Sequence, residues 1–76
     1  MTEKIFIEEL REEVFTSSEP ELITMGTIFK ELEEWDSLVT LSLIAHFDMN
    51  LGKKLSGEQI RMSVTIKDLW EIASED

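Results

Sequence analysis

The chain has 76 residues, enough for one domain that hides only about 60% of its unfolded surface, and no cysteine, so it has neither a disulfide framework nor a thiol of its own. A formal charge of −10 and a pI near 4.4 exclude nucleic acid as a partner, because phosphates are bound by a Lys/Arg surface that this composition does not supply. The start has no basic and apolar signal pattern, and no apolar run approaches the ~20 residues of a membrane span, so a cytoplasmic monomer without membrane insertion is expected.

Residues 3–15 predict a first helix: Phe6, Ile7, Leu10, Val14 and Phe15 recur at spacings of three and four. Glu8, Glu9, Glu12 and Glu13 fill the other face, which reads as solvated. Thr16-Ser17-Ser18-Glu19-Pro20 breaks that helix, since the residue before proline disfavours helical geometry. Residues 20–36 lack a clean period, yet Leu22, Ile23, Met25, Ile28, Phe29 and Leu32 are too apolar for a free linker. They predict a long loop packed on the helices, in which Gly26 permits a positive φ, and a short turn over 27–32. The acids Glu31, Glu33, Glu34 and Asp36 that follow do not have the alternating oxygen ligands and central glycine of a calcium loop, so no metal site is expected.

Asp36 is a candidate N-cap, which leaves Ser37 at the first helical position with its hydroxyl toward water. The second helix is predicted over 37–51 as the most buried element, with Leu38, Leu41 and Ala45, then Phe47 or Met49, on successive turns. Asn50 and Gly52 tolerate the left-handed conformation of a C-cap, and Lys53 and Lys54 match the negative end of the helix dipole. Ser56-Gly57-Glu58-Gln59 and Thr65-Ile66-Lys67-Asp68 read as capping boxes for a short helix over 57–62 and a last helix over 66–74, whose inner face is Ile66, Leu69, Trp70 and Ala73. Met25, Met49 and Met62 are expected to fill gaps in the core, and His46 to sit at the surface or rim. A Ser37–His46 catalytic pair is excluded: nine helical residues rise about 13.5 Å and end on the opposite face, far beyond the ~3 Å a base requires. No catalytic residue is assigned.

The order of these elements resembles the acyl carrier protein family: an all-α, small four-helix bundle of three longer helices and one short one, with a long loop between the first and second. Leu32-Glu33-Glu34-Trp35-Asp36-Ser37-Leu38 is similar to the attachment motif of dedicated carriers, and Phe47-Asp48-Met49-Asn50-Leu51 and Thr65-Ile66-Lys67-Asp68-Leu69 are similar to later segments of that family. The resemblance spans residues 1–76 as one domain. It implies that Ser37, within Asp36-Ser37-Leu38, carries 4′-phosphopantetheine derived from coenzyme A, attached by a phosphopantetheinyl transferase. It also implies a non-catalytic carrier that holds acyl or aminoacyl groups as thioesters for acyl-loading and acyl-transferring enzymes, as in fatty-acid or polyketide biosynthesis.

Two departures from fatty-acid carriers stand out. Glu34 and Trp35 replace the usual glycine region before the motif, and the second helix has Asp48 as its only acid. Trp35, Val39 and Ser42 are therefore the candidate partner-docking residues, and a dedicated pathway is expected over housekeeping fatty-acid synthesis. The alternative is an unmodified acidic helical adaptor with a carrier-like fold. Eleven of the acids fall in residues 1–36 against Lys4, Arg11 and Lys30, so the negative charge lies mostly upstream of Ser37.

Overall fold

The computed structural model describes residues 1–75 and contains four α-helices: α1 (Glu3–Glu13), α2 (Ser37–Leu51), α3 (Gly57–Met62) and α4 (Ile66–Ser74). Two 3₁₀ turns, Pro20–Leu22 and Phe29–Glu31, interrupt the long connection between α1 and α2. Among the described residues there is no strand, only an isolated bridge between Ile28 and Thr65, and no helix is long and apolar enough to cross a membrane. The chain is a small all-α fold with one cluster of buried side chains.

The helix starts follow from their caps. Thr2, Asp36, Ser56 and Thr65 each accept a backbone N–H from three residues on, satisfying one of the orphan donors of a helix start. Both capping boxes close as expected, with Gln59 and Asp68 reaching back to the cap backbone. Gly52 ends α2 with φ 64°, and its N–H and that of Lys53 both point to the Phe47 carbonyl. Gly26, which permits the same conformation, does not adopt a positive φ, and Asn50 stays inside α2.

α1 ends two residues before the predicted position. Phe15 N–H turns back to the Leu10 carbonyl at 2.7 Å, sharing it with Val14 N–H at 3.1 Å. This wider turn leaves the helical spiral but drives Phe15 fully into the core, where its burial outweighs continued helical pairing. Phe6, Phe15, Phe29 and Phe47 are all fully buried, and Phe6 meets Phe47 edge-on at 6.0 Å, locking α1 to α2.

The loop packs as predicted, and its backbone explains why. The first N–H groups of α4 have no partner within that helix; Ile66 N–H donates to Thr27 O at 3.0 Å and Lys67 N–H to Met25 O at 2.9 Å. Thr27 Oγ1 in turn bonds Leu22 O at 2.6 Å and accepts from Thr24 N–H at 2.9 Å, fixing the turn that presents those carbonyls. Ile23 and Phe29 are thereby held in the core.

α2 is not the most buried element. It buries only Leu43, His46 and Phe47, while Leu38, Leu41 and Met49 are 70%, 62% and 81% exposed and Ala45 is also exposed. Met62 is 78% exposed, so of the three methionines expected as gap-fillers only Met25 packs against the core. Trp70 is half-buried on the core side of α4, beside buried Ile66, Leu69 and Ala73.

Backbone N–H groups of Thr65 and then Val64 hold the Asp68 carboxyl below its ordinary value of 3.8. A lowered carboxyl contributes stability above its unfolded pKa and loses it as pH falls through the folded one. The melting temperature of wild type is therefore expected to exceed that of Asp68→Asn at pH 7, with the gap closing below about pH 4. A gap that stays constant in thermal scans across that range would contradict the role of the charge.

Candidate functional site

The turn into α2 is built from a residue pointing in, a residue capping and a residue pointing out. Trp35 N–H bonds Leu32 O at 3.0 Å, and its ring packs against Phe29 edge-on at 5.0 Å and against Phe15 at 6.3 Å. Asp36 is extended; its Oδ1 accepts Val39 N–H at 2.8 Å, while its carbonyl accepts both Thr40 N–H at 3.0 Å and Thr40 Oγ1 at 2.8 Å. With both neighbours fixed, Ser37 occupies the first position of α2 with an exposed side chain. Its hydroxyl has no hydrogen-bond partner among the described residues. Leu38 follows, also outward.

The helical period places Leu41, Ile44 and Asp48 on the same face as Ser37, one, two and three turns along. Leu41, Ile44, Ala45 and Asp48 line one side of an open groove of about 400 Å³, and Lys54 and Leu55 line the other. The groove is thus a largely apolar furrow along α2 that begins at Leu41, one turn beyond the serine.

The sequence-derived docking residues are placed differently. Val39 and Trp35 are half-buried and packed against the core, and Ser42 is half-buried. The outward side of α2 belongs instead to Leu38, Leu41, Ala45 and Met49. That assignment was hidden because α2 is apolar on nearly every side, so the period of its apolar residues names no single inner face.

His46 is corrected outright: it is buried, 5% exposed, and its Nε2 lies 3.1 Å from Glu9 Oε1 across the α1–α2 interface. Glu9 is accordingly half-buried and not part of the solvated face, while Glu8, Glu12 and Glu13 are exposed. Both changes remove His46 further from any role beside Ser37, since its ring is committed on the opposite side of α2. The acids before the serine divide as well. Glu34 accepts from Ser17 N–H at 3.3 Å and from the Ser18 hydroxyl, closing the start of the loop, whereas Glu31, Glu33 and Asp36 are exposed. Among the described residues no group of three or more His, Asp or Glu side chains is arranged to hold a metal ion.

The arrangement leaves an exposed hydroxyl at the start of α2 with the free N–H groups of the helix start beside it. Comparison with known proteins gives no match to a family model, a curated protein or a solved structure.

Removing the Glu9 carboxylate while His46 stays buried leaves an imidazole N without its partner. Glu9→Ala is expected to lower unfolding free energy by about 1–3 kcal/mol, against less than about 0.5 kcal/mol for exposed Glu12→Ala. Urea denaturation followed by circular dichroism measures both; equal losses would mean that the His46–Glu9 contact contributes nothing.

Proposed function

We propose that the chain is a carrier protein of the acyl carrier type, with Ser37 as the attachment point of a 4′-phosphopantetheine arm. The observation that supports this most directly is the exposed, unpartnered Ser37 hydroxyl at the first position of α2, between an Asp36 cap and an outward Leu38. The order of four helices around a long packed loop agrees with that reading.

The residues present fit such a group. Ser37 is open to an approaching enzyme, and a phosphodiester there lies against the free N–H groups of α2, where the helix dipole favours negative charge by about 0.3–1 kcal/mol. In the transfer, Ser37 Oγ attacks the phosphorus of coenzyme A that bears pantetheine. The phosphoanhydride bond breaks, adenosine 3′,5′-bisphosphate leaves, and the serine proton passes to a base of the transferase, whose magnesium neutralises the phosphates. Asp36 and Trp35 hold the serine in position for that attack and take no proton. When attached, the arm supplies the thiol this chain lacks, on which acyl or aminoacyl groups ride as thioesters. The chain itself is a substrate of other enzymes and has no catalysis of its own.

The outward leucines of α2, in place of a row of acids, support service in a dedicated biosynthetic pathway over housekeeping fatty-acid synthesis. They also favour the one competing reading, an unmodified helical adaptor, because an apolar face binds a protein with or without an arm.

Incubation with coenzyme A, magnesium and a broad-specificity phosphopantetheinyl transferase is expected to add one phosphopantetheine to wild type and none to Ser37→Ala, as read by intact-mass spectrometry. Wild type left unmodified by several such transferases would discard the carrier reading in favour of the adaptor.

A further inference from the structure

One side of α1 faces the loop without closing on it. Lys4, Ile7, Glu8 and Arg11 fall at i, i+3, i+4 and i+7, so they share a face of the helix, and they line an open hollow of about 350 Å³ together with Ile23 and Met25 of the loop. The floor is apolar, since Ile7 and Ile23 are buried and Met25 packs against the core. Lys4 and Arg11 stand two helical turns apart, about 10 Å along the axis.

Arg11 is fixed in place and has no anion. Its Nη2 donates to the Ile23 carbonyl at 3.0 Å, while its Nε is buried without an acceptor among the described residues. A half-buried guanidinium in a chain with 17 acids is ordinarily met by a carboxylate. Here the only ion pair among the described residues is His46–Glu9, so the Arg11 charge is partly desolvated and uncompensated where it borders the hollow.

The lining decides which anion suits it. Lys4 and Arg11 are offset by Glu3 and Glu8, so the hollow has no net positive charge to concentrate inorganic phosphate or a polyanion. A ligand with a single carboxylate and an apolar body matches both parts: the carboxylate meets the remaining guanidinium N–H groups, and the body covers Ile7, Ile23 and Met25. The loop wall is also pre-formed, because Thr27 Oγ1 accepts from Thr24 N–H and Arg11 holds the Ile23 carbonyl, which limits the ordering that binding requires.

We propose that the hollow between α1 and the loop is a binding site for a small monocarboxylate with an apolar body, anchored by Arg11. Ser37 takes no part in it, so the site stands whether or not the chain carries an arm. A bound ligand ties α1 to the Ile23–Met25 segment a second time and so raises the stability of the fold.

Octanoate serves as the probe, titrated into isotope-labelled protein and followed by two-dimensional NMR, in which the Arg11 Nε–H gives a signal of its own. Saturable shifts are expected at that signal and at the Ile7, Ile23 and Met25 amides. Butyrate, with less apolar surface, is expected to bind about fivefold or more weakly, and octanol, with no charge, about tenfold more weakly. Arg11→Gln is expected to weaken octanoate about tenfold. Glu8→Gln, at an exposed position that the fold does not need, removes a like charge from the rim and is expected to tighten binding about twofold at low salt. Circular dichroism shows whether each variant is folded, and Glu8→Gln keeps the test decisive should Arg11→Gln unfold.

The absence of saturable shifts with octanoate overturns the proposal, as does an affinity unchanged in every folded variant. Octanol binding as tightly as octanoate would remove the role of Arg11. Inorganic phosphate displacing octanoate at equal concentration would make the hollow a general anion site, and shifts confined to Leu41, Ile44 and Leu55 would place the ligand elsewhere; either result overturns the assignment.

Discussion

Two hydrogen bonds between the loop and the first turn of α4 hold the arrangement together. The donors, Ile66 N–H and Lys67 N–H, are groups that every helix leaves unpaired at its start, and Thr27 O and Met25 O satisfy them. From there the order passes along the chain: the clasp fixes the turn before Phe29, Phe29 is buried and packs against Trp35, and Trp35 sets the angle at which Asp36 caps α2. The exposed serine is thus positioned by a segment with almost no regular structure. A loop of this length is expensive in entropy, and it is anchored by a few backbone bonds and three buried side chains, Phe15, Ile23 and Phe29.

This division of labour also separates the charges. The acidic stretch before Ser37 remains in solvent because its apolar members, Leu32 and Trp35, turn inward from it, with Glu34 engaged by the Ser17–Ser18 turn. Carboxylates therefore accumulate around the start of α2, where free N–H groups partly offset their repulsion. The apolar surface begins only after the serine. The boundary between an acidic and an apolar surface runs through Ser37, the residue proposed to carry the arm.

What the sequence made legible was whatever depends on local chemistry. Asp36, Ser56 and Thr65 start their helices because a side-chain oxygen three residues from an N–H is a short-range event, and Gly52 ends α2 because it tolerates a left-handed turn. The packed character of 20–36 was legible from its apolar content, and the exposed hydroxyl of Ser37 from the cap beside it. Orientation was not. With apolar side chains around most of its circumference, α2 has no amphipathic signal to say which side faces the core, so Val39 was placed outward and Leu41 and Met49 inward. The burial of His46 depends on Glu9, 37 positions away, and a contact at that distance leaves no trace in local periodicity.

That buried pair lies on the same side of α2 as Leu43 and Phe47, opposite the outward leucines. A turn of about 100° about the helix axis would draw Leu41 toward the core, but it would also carry His46 away from Glu9 and strand one or both polar groups in an apolar setting. The pair adds a polar constraint to the same orientation that buries Leu43 and Phe47: both the phenylalanine contact and the His46–Glu9 contact are lost if the helix turns. A polar contact hidden on one side of the helix thereby preserves the stickiness of the other, and the chain keeps its apolar surface in water by making its burial topologically awkward.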